Sequence, residues 1–452
     1  MCGPRAGTIR WRRSSCSLAN NRSELPDAGR VTARPPTHVS ARSAIEALRA
    51  GVPNQAAVRL LEPDEGALRR EFVDRLRLCS AAPGDEEQPE GMVIAGAFGA
   101  GKSHQLGYLG ALAQQRNFIV SPVAISKETP LFDLARLFQA AVRAAAVPDA
   151  NDDVMSAVMA RLHPDSERFE ALEHWTAAEV QARRLWALFA ALLHLMPRRT
   201  SDPDDHLRIA RFFAGGKFGL TMAKNWLRET GAARLFDLRP VREADLALQW
   251  LRFAPRLFRA AGYSGWCILL DETELIARYS PLQRARAYGE LARWLGADRK
   301  APIPGVVTVA AVTDDFPDQM FRQRGDDEHI PPLLEARGLP DQAAMARSGI
   351  AWLERRQSRL RAPDEAELHR SLEKIATLYR DAYHWPPPKV EVGERLAGKS
   401  MRQYVKSWIA AWDIMRLYGE TPVIGGETIA FDYRESTEIE DAAEGGGSDT
   451  EA

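Results

Sequence analysis

Four short stretches of this chain are apolar at nearly every position, and each stops at a turn or a polar cluster: 91–95, 118–125, 266–270 and 306–312. Continuous apolar runs of this length predict strands buried on both faces of a parallel sheet, not strands with one wet face. Elsewhere the apolar residues recur at helical spacing. That pattern predicts helices starting at 103 and near 132, and over 177–195, 246–261, 343–361, 365–383 and 401–417. Strands alternating with helices make the fold α/β, a parallel sheet flanked by helices. The span between the second and third strands is long, reads as helical and is broken at Gly215-Gly216. It predicts a helical insertion at about 140–255, within a core of 41–335. Residues 336–434 then form a helical C-terminal region, in which Trp408 and Trp412 pack a core or lid.

The chemistry sits at the ends of the predicted strands. Gly96-Ala97-Phe98-Gly99-Ala100-Gly101-Lys102-Ser103-His104 follows the first strand and opens a helix. Its first eight residues are a complete G-x-x-x-x-G-K-[ST] loop in the strand–loop–helix setting that such a loop requires. Glycine permits the backbone angles that turn successive N–H groups onto phosphates, and the positive end of the helix adds to the attraction. Lys102 is then placed for the β- and γ-phosphates of ATP, and the Ser103 hydroxyl for Mg²⁺.

The third strand ends in Asp271 and Glu272, with Glu274 close behind. In a parallel sheet that end faces the ligand crevice. Asp271 is expected to hold Mg²⁺, Glu272 to polarise the attacking water, and Glu274 to be structural. The fourth strand ends at Thr313. By analogy with AAA+ ATPases this residue senses the γ-phosphate; a turn hydrogen bond is the alternative.

Composition bounds the rest. The chain has 452 residues, 45% hydrophobic and 27% charged, with a net charge of −1. It is long enough for two or three lobes and lacks the global charge of a nucleic-acid coat protein. Cys2, Cys16, Cys79 and Cys267 have no metal-ligand spacing, which suits a reducing cytoplasm. The longest apolar stretch, 185–196, is too short to cross a bilayer. Residues 1–40 hold seven arginines against two acids, and 435–452 hold seven acids and no base; both ends are expected to be disordered.

Several blocks together carry a resemblance. Arg42-Ser43-Ala44-Ile45-Glu46-Ala47-Leu48-Arg49-Ala50-Gly51-Val52-Pro53-Asn54, the loop 96–104, Ile125-Ser126-Lys127-Glu128-Thr129-Pro130-Leu131 and Leu270-Asp271-Glu272 with Glu274 resemble the BrxC/BrxD P-loop proteins of bacterial phage-exclusion (BREX) systems. The likeness is nearer to BrxD and spans roughly 41 to 420. It implies an AAA+-like ATPase related to the initiator type, whose site is completed by a neighbouring copy. By the same analogy Arg337 is the finger reaching into the next site, and Arg402 is the second sensor in the lid. Partners implied are ATP, other BREX proteins and further copies of the chain. No winged-helix domain is evident after 420, so contact with DNA is expected to be indirect.

Two functions of different class fit these residues: an ATPase driving remodelling in a defence complex, and a nucleotide-gated scaffold with little turnover. A helicase is disfavoured, since no later Gln/Arg-rich helicase motif or second P-loop-like lobe follows. A small-molecule kinase needs neither the insertion nor the long helical C-terminal part.

Overall fold

The computed structural model describes residues 38–50, 66–81, 87–148, 153–198, 202–242, 245–361, 364–390 and 400–419. The basic segment up to 37, Val52-Pro53-Asn54 and the acidic tail lie outside them. Among the described residues there are five strands: β1 (Met92–Ala95), β2 (Phe118–Ala124), β3 (Gly265–Asp271), β4 (Val306–Val312) and β5 (Gln357–Arg359). They form one all-parallel sheet in the order β2-β3-β4-β1-β5. Every residue of β1 and β4 is buried, as are the first six of β3. Alternate side chains feed two separate cores. Met92, Ile94, Cys267 and Leu269 face one side; Val93, Ala95, Trp266 and Ile268 face the other. The apolar runs lack alternation because both faces are covered.

Helices α1 (His38–Ala50), α2 (Gly66–Ala81) and α3 (Lys102–Gln114) precede β2. Phe72 and Leu76 of α2 and Leu106 and Leu109 of α3 cover the first face of the sheet. Buried between α2 and β3, Cys79 and Cys267 are free thiols.

The chain from β2 to β3 is helical: α4 (Leu134–Arg143), α5 (Val154–Arg161), α6 (Glu167–Gln181), α7 (Ala187–Leu195), α8 (Pro203–Phe213), α9 (Leu220–Glu229) and α10 (Ala247–Ala260). An aromatic cluster packs it, with Phe189 4.9 Å from both Phe212 and Phe253, ring centre to ring centre. The helix expected over 177–195 is two. It breaks after Gln181 because Arg183 takes a left-handed backbone and Arg184 folds back onto the buried Glu179. Trp186 N–H then donates to Gln249 as α7 begins.

After β3 come α11 (Pro281–Trp294), α12 (Asp326–Glu335) and α13 (Pro340–Arg355), on the other face of the sheet. The helix expected over 343–361 stops at Arg355. Its last residues instead form β5, whose neighbour Leu360 donates its N–H to Ala95 O at 2.8 Å. Two final helices, α14 (Glu365–Tyr383) and α15 (Met401–Tyr418), do not join this packing. With α1 they bury a third core, including Ile45, Leu368, Ile375, Trp408 and Trp412.

Candidate functional site

Strand register aligns the carboxyl ends that carry the motif residues. Ala95 stands beside Val312, and Leu270 beside Ala310. Gly96 and Thr313 therefore leave the sheet at the same level, joined by Gly96 N–H donating to Val312 O at 3.2 Å. Asp271 ends β3 on the far side of β4, two strand spacings or roughly 10 Å from β1.

The loop bends twice through conformations suited to glycine. Gly99 has φ of 79° and Gly101 of 98°, and Gly101 is the residue before the first turn of α3. Gly101, the residue before that turn, has no side chain to cap it, and the N–H groups at the start of a helix have no partner within the helix itself. Lys102 is buried. Its Nζ donates to Gly96 O at 2.9 Å and lies 3.4 Å from Ala97 O, so the ammonium folds back over the loop. Ser103 and His104 follow on α3, both half-buried.

The acids sit on a sharp turn. One Asp271 carboxylate oxygen accepts the Glu272 N–H at 3.0 Å; the other has no partner among the described residues. Glu272 is exposed and holds φ of 59°, a left-handed backbone rare for a residue with a side chain, and so a local strain of the kind that gathers at functional sites. A 3-10 turn, Thr273–Arg278, follows and carries Glu274. Burial pushes the Glu274 carboxyl up to about 7. The Lys102 charge opposes that rise, and the Glu272 and Asp271 charges add to it. One lysine and three carboxyls thus share a single electrostatic neighbourhood.

Two further segments brace this neighbourhood. Ile125 N–H donates to Asp271 O at 3.0 Å, directly after β2. The Ser-Lys-Glu-Thr-Pro-Leu block then turns on the Ser126 hydroxyl, which accepts the N–H groups of Glu128 and Thr129. It ends at the buried Leu131, whose N–H donates to the Tyr279 hydroxyl just past the acid turn. The block therefore fixes the acid turn from the side.

From the other side comes the start of α15. Ser400 and Gln403 cap that helix reciprocally. A Cβ on Gly99 would lie 2.7 Å from Ser400 Oγ, so the loop and this cap touch. The Arg402 guanidinium stands 5.4 Å from the centre of the half-exposed Phe98 ring, and Arg402 N is 3.5 Å from Gly99 O.

Of the residues singled out in the sequence, the loop 96–104, Asp271, Glu272, Thr313 and Arg402 converge here. Thr313 is buried, and its carbonyl accepts the Phe316 N–H at 3.3 Å. Arg337 does not converge: it is exposed in the turn after α12, where its backbone N–H donates to Leu334 O at 3.1 Å, and its side chain makes no hydrogen bond or ion pair among the described residues. Sequence reasoning took Glu274 as structural, and no local pattern reveals that its Oε2 is buried. It also missed the Ser400 cap, although Ser-x-x-Gln before a helix is a readable capping signal.

Among the described residues no group of three or more His, Cys, Asp or Glu is arranged to hold a metal alone. The donor set of the loop still suits Mg²⁺: a hydroxyl oxygen on Ser103 and a carboxylate on Asp271, with phosphates and waters completing the shell. No helix of the described residues is long and apolar enough to cross a membrane.

A family model described as BREX system ATP-binding protein BrxC/D matches residues 39–163 and 229–413, more than half of the chain. It treats BrxC and BrxD together and does not separate them. Both motif strands, α1 from Val39 onward and the start of α15 lie inside the match; α7 and α8 lie outside it. No curated protein and no solved structure matches the chain significantly.

Proposed function

The chain belongs to the BREX system ATP-binding protein family BrxC/D, and from that premise we propose that it is a Mg²⁺-dependent ATPase of the AAA+ type. Its hydrolysis would drive remodelling within an anti-phage complex in the cytoplasm. The observation that carries this reading is the gathering of Lys102, Asp271, Glu272 and Glu274 at one carboxyl edge of a parallel sheet. The fold places ligands at that edge.

In this reading N–H groups of the loop 96–104, other than those of Gly96 and Ala100 that serve Val312 O and Ala97 O, cradle the β- and γ-phosphates, and Lys102 exchanges its loop carbonyls for phosphate oxygens. Ser103 and Asp271 hold Mg²⁺, which when bound offsets the charge of the transferring phosphoryl group. Glu272 orients a water in line with the γ-phosphorus and takes its proton. Thr313, level with Gly96, reads the terminal phosphate, and Arg402 approaches it from α15. The exposed, unpaired Arg337 is left for the site of an adjacent copy. Other BREX proteins are the partners this role calls for, with DNA reached through them.

A second reading, a nucleotide-gated scaffold, draws on one observation: α15 rests directly on the phosphate loop, so loop occupancy acts on the helical bundle without turnover. Binding and phosphate release separate the two. Lys102→Ala is expected to abolish ATP binding measured by equilibrium dialysis. Glu272→Gln is expected to bind ATP and release no phosphate. Retained affinity in the first variant removes the site; undiminished turnover in the second removes the assigned role of Glu272.

A further inference from the structure

Glu274 has a carboxyl oxygen, Oε2, that is shut off from solvent and has no hydrogen-bond partner among the described residues. The Glu274 backbone N–H serves the carboxyl, but a buried oxygen left unpaired is still costly, so such a group carries either a proton or a ligand. Its position restricts the choice. It lies three residues past Asp271 on the acid turn, and the Lys102 charge is the favourable one acting on it. In the reading above a polyphosphate draws Lys102 away and brings its own negative charge. Ionised, Glu274 would then face phosphate, Asp271 and Glu272, with the Mg²⁺ proposed at Ser103 and Asp271 already shared with the phosphates and Asp271. Protonated, it presents an O–H donor to the same space.

We propose that Glu274 is a ligand of the terminal phosphate, donating a hydrogen bond to one of its oxygens from a protonated carboxyl. The inference rests on the nucleotide site proposed above. Burial already holds the carboxyl near neutral pH, at about 7. The charged groups acting most on it are Lys102 from α3, Asp271 from the end of β3 and Glu272 from its own turn. The strand β4, packed against the turn, is uncharged. On α11, also packed there, Arg284 is tied to Asp326, Arg293 to Glu290 and Asp298, and Arg286 is exposed. No metal need touch Glu274 for this role. The work asked of it is selection of a triphosphate over a diphosphate.

The sign of the pH effect follows. The donor is present below the carboxyl's pKa and is lost as pH rises through it. A hydrogen bond to a charged acceptor contributes about tenfold or more in affinity. The test measures binding of the full chain to Mg²⁺-saturated adenosine 5′-O-(3-thiotriphosphate) and to MgADP from pH 7 to 9. Wild type should lose about tenfold of its preference for the triphosphate over that range. Glu274→Gln, isosteric and always a donor, should keep the preference at every pH. Glu274→Ala should bind ADP as wild type does and show little preference at any pH.

A wild-type preference independent of pH, the same pH dependence in Glu274→Gln, or an intact preference in Glu274→Ala would each overturn the proposal. Lys102→Ala runs alongside. If it binds both nucleotides normally, the phosphate site itself is misplaced; if it binds neither, a failure confined to Glu274 counts against Glu274 alone.

Discussion

Gly99 and Gly101 both sit at positive φ, yet a single added methyl should tell them apart. At Gly101 a Cβ would meet nothing within 4 Å, so Gly101→Ala costs only the backbone strain of a side chain at φ 98°, about 1–2 kcal/mol. At Gly99 the same methyl also pushes on Ser400 Oγ, the cap of α15. Gly99→Ala should therefore add the loss of a cap, about 1 kcal/mol more, and should speed amide exchange at the start of α15. Exchange there that matches the Gly101→Ala protein would refute the contact. Both glycines were legible in the sequence as loop formers, because the motif demands their backbone freedom. What Gly99 touches was not legible, since Ser400 lies some three hundred residues away in the chain. Glu274 was hidden for a related reason: a carboxyl that follows Asp271 and Glu272 reads as one more solvated acid, and only the fold shows that its oxygen is buried.

Elements differ in how clearly they announce themselves. Strands β1, β3 and β4 were readable because burial on two faces leaves a nearly unbroken apolar run, whereas β2, at the sheet edge, was readable from its apolar start although Pro122 and Ala124 are exposed. Strand β5, Gln-Ser-Arg, has no such run; it is three residues of sheet edge held by backbone bonds to β1. The helix α12 shows how side chains can settle an element with poor propensity. It contains Pro331 and Pro332, each of which removes an N–H from the helical ladder. What compensates is at its start. The buried Asp326 accepts both Arg284 Nε and Nη2, at 2.8 and 2.9 Å, and the Tyr288 hydroxyl at 2.7 Å, tying α12 to α11. Removing that carboxylate leaves a mostly buried guanidinium without its counter-charge, with only the Tyr279 carbonyl at 2.7 Å as a partner among the described residues. Asp326→Ala should cost about 3–5 kcal/mol in denaturant unfolding, and Asp326→Asn less, because the amide still accepts one bond. Equal stability of the alanine variant and wild type would show that the network does not anchor α12.

At the scale of the whole molecule, sequence order and spatial grouping part company. The chain reads as a core from 41 onward with a helical region at its end, but α1 packs with α14 and α15. Nothing local could have indicated this, because a helix with an apolar stripe does not name its partner. The polar contacts are specific to the grouping. Arg49 donates to both oxygens of Asp413 at 2.9 Å, and Tyr379 donates to the same carboxylate at 2.7 Å. Tyr383 donates to Glu46 at 2.8 Å. Deleting residues 1–50 strips α1 from this bundle and exposes apolar faces that include Ile375 and Trp412. The sheet keeps both of its own covering layers, since neither contains α1. Amide exchange should therefore rise along α14 and α15 and stay slow in β1, β3 and β4. Because α15 begins against Gly99, the deletion should also weaken nucleotide binding although no loop residue is touched. If α14 and α15 stay as protected as in the full chain, α1 is only an adjunct to a bundle that two helices can hold. Faster exchange there with unchanged nucleotide affinity would instead mean that the loop does not depend on the bundle resting on it.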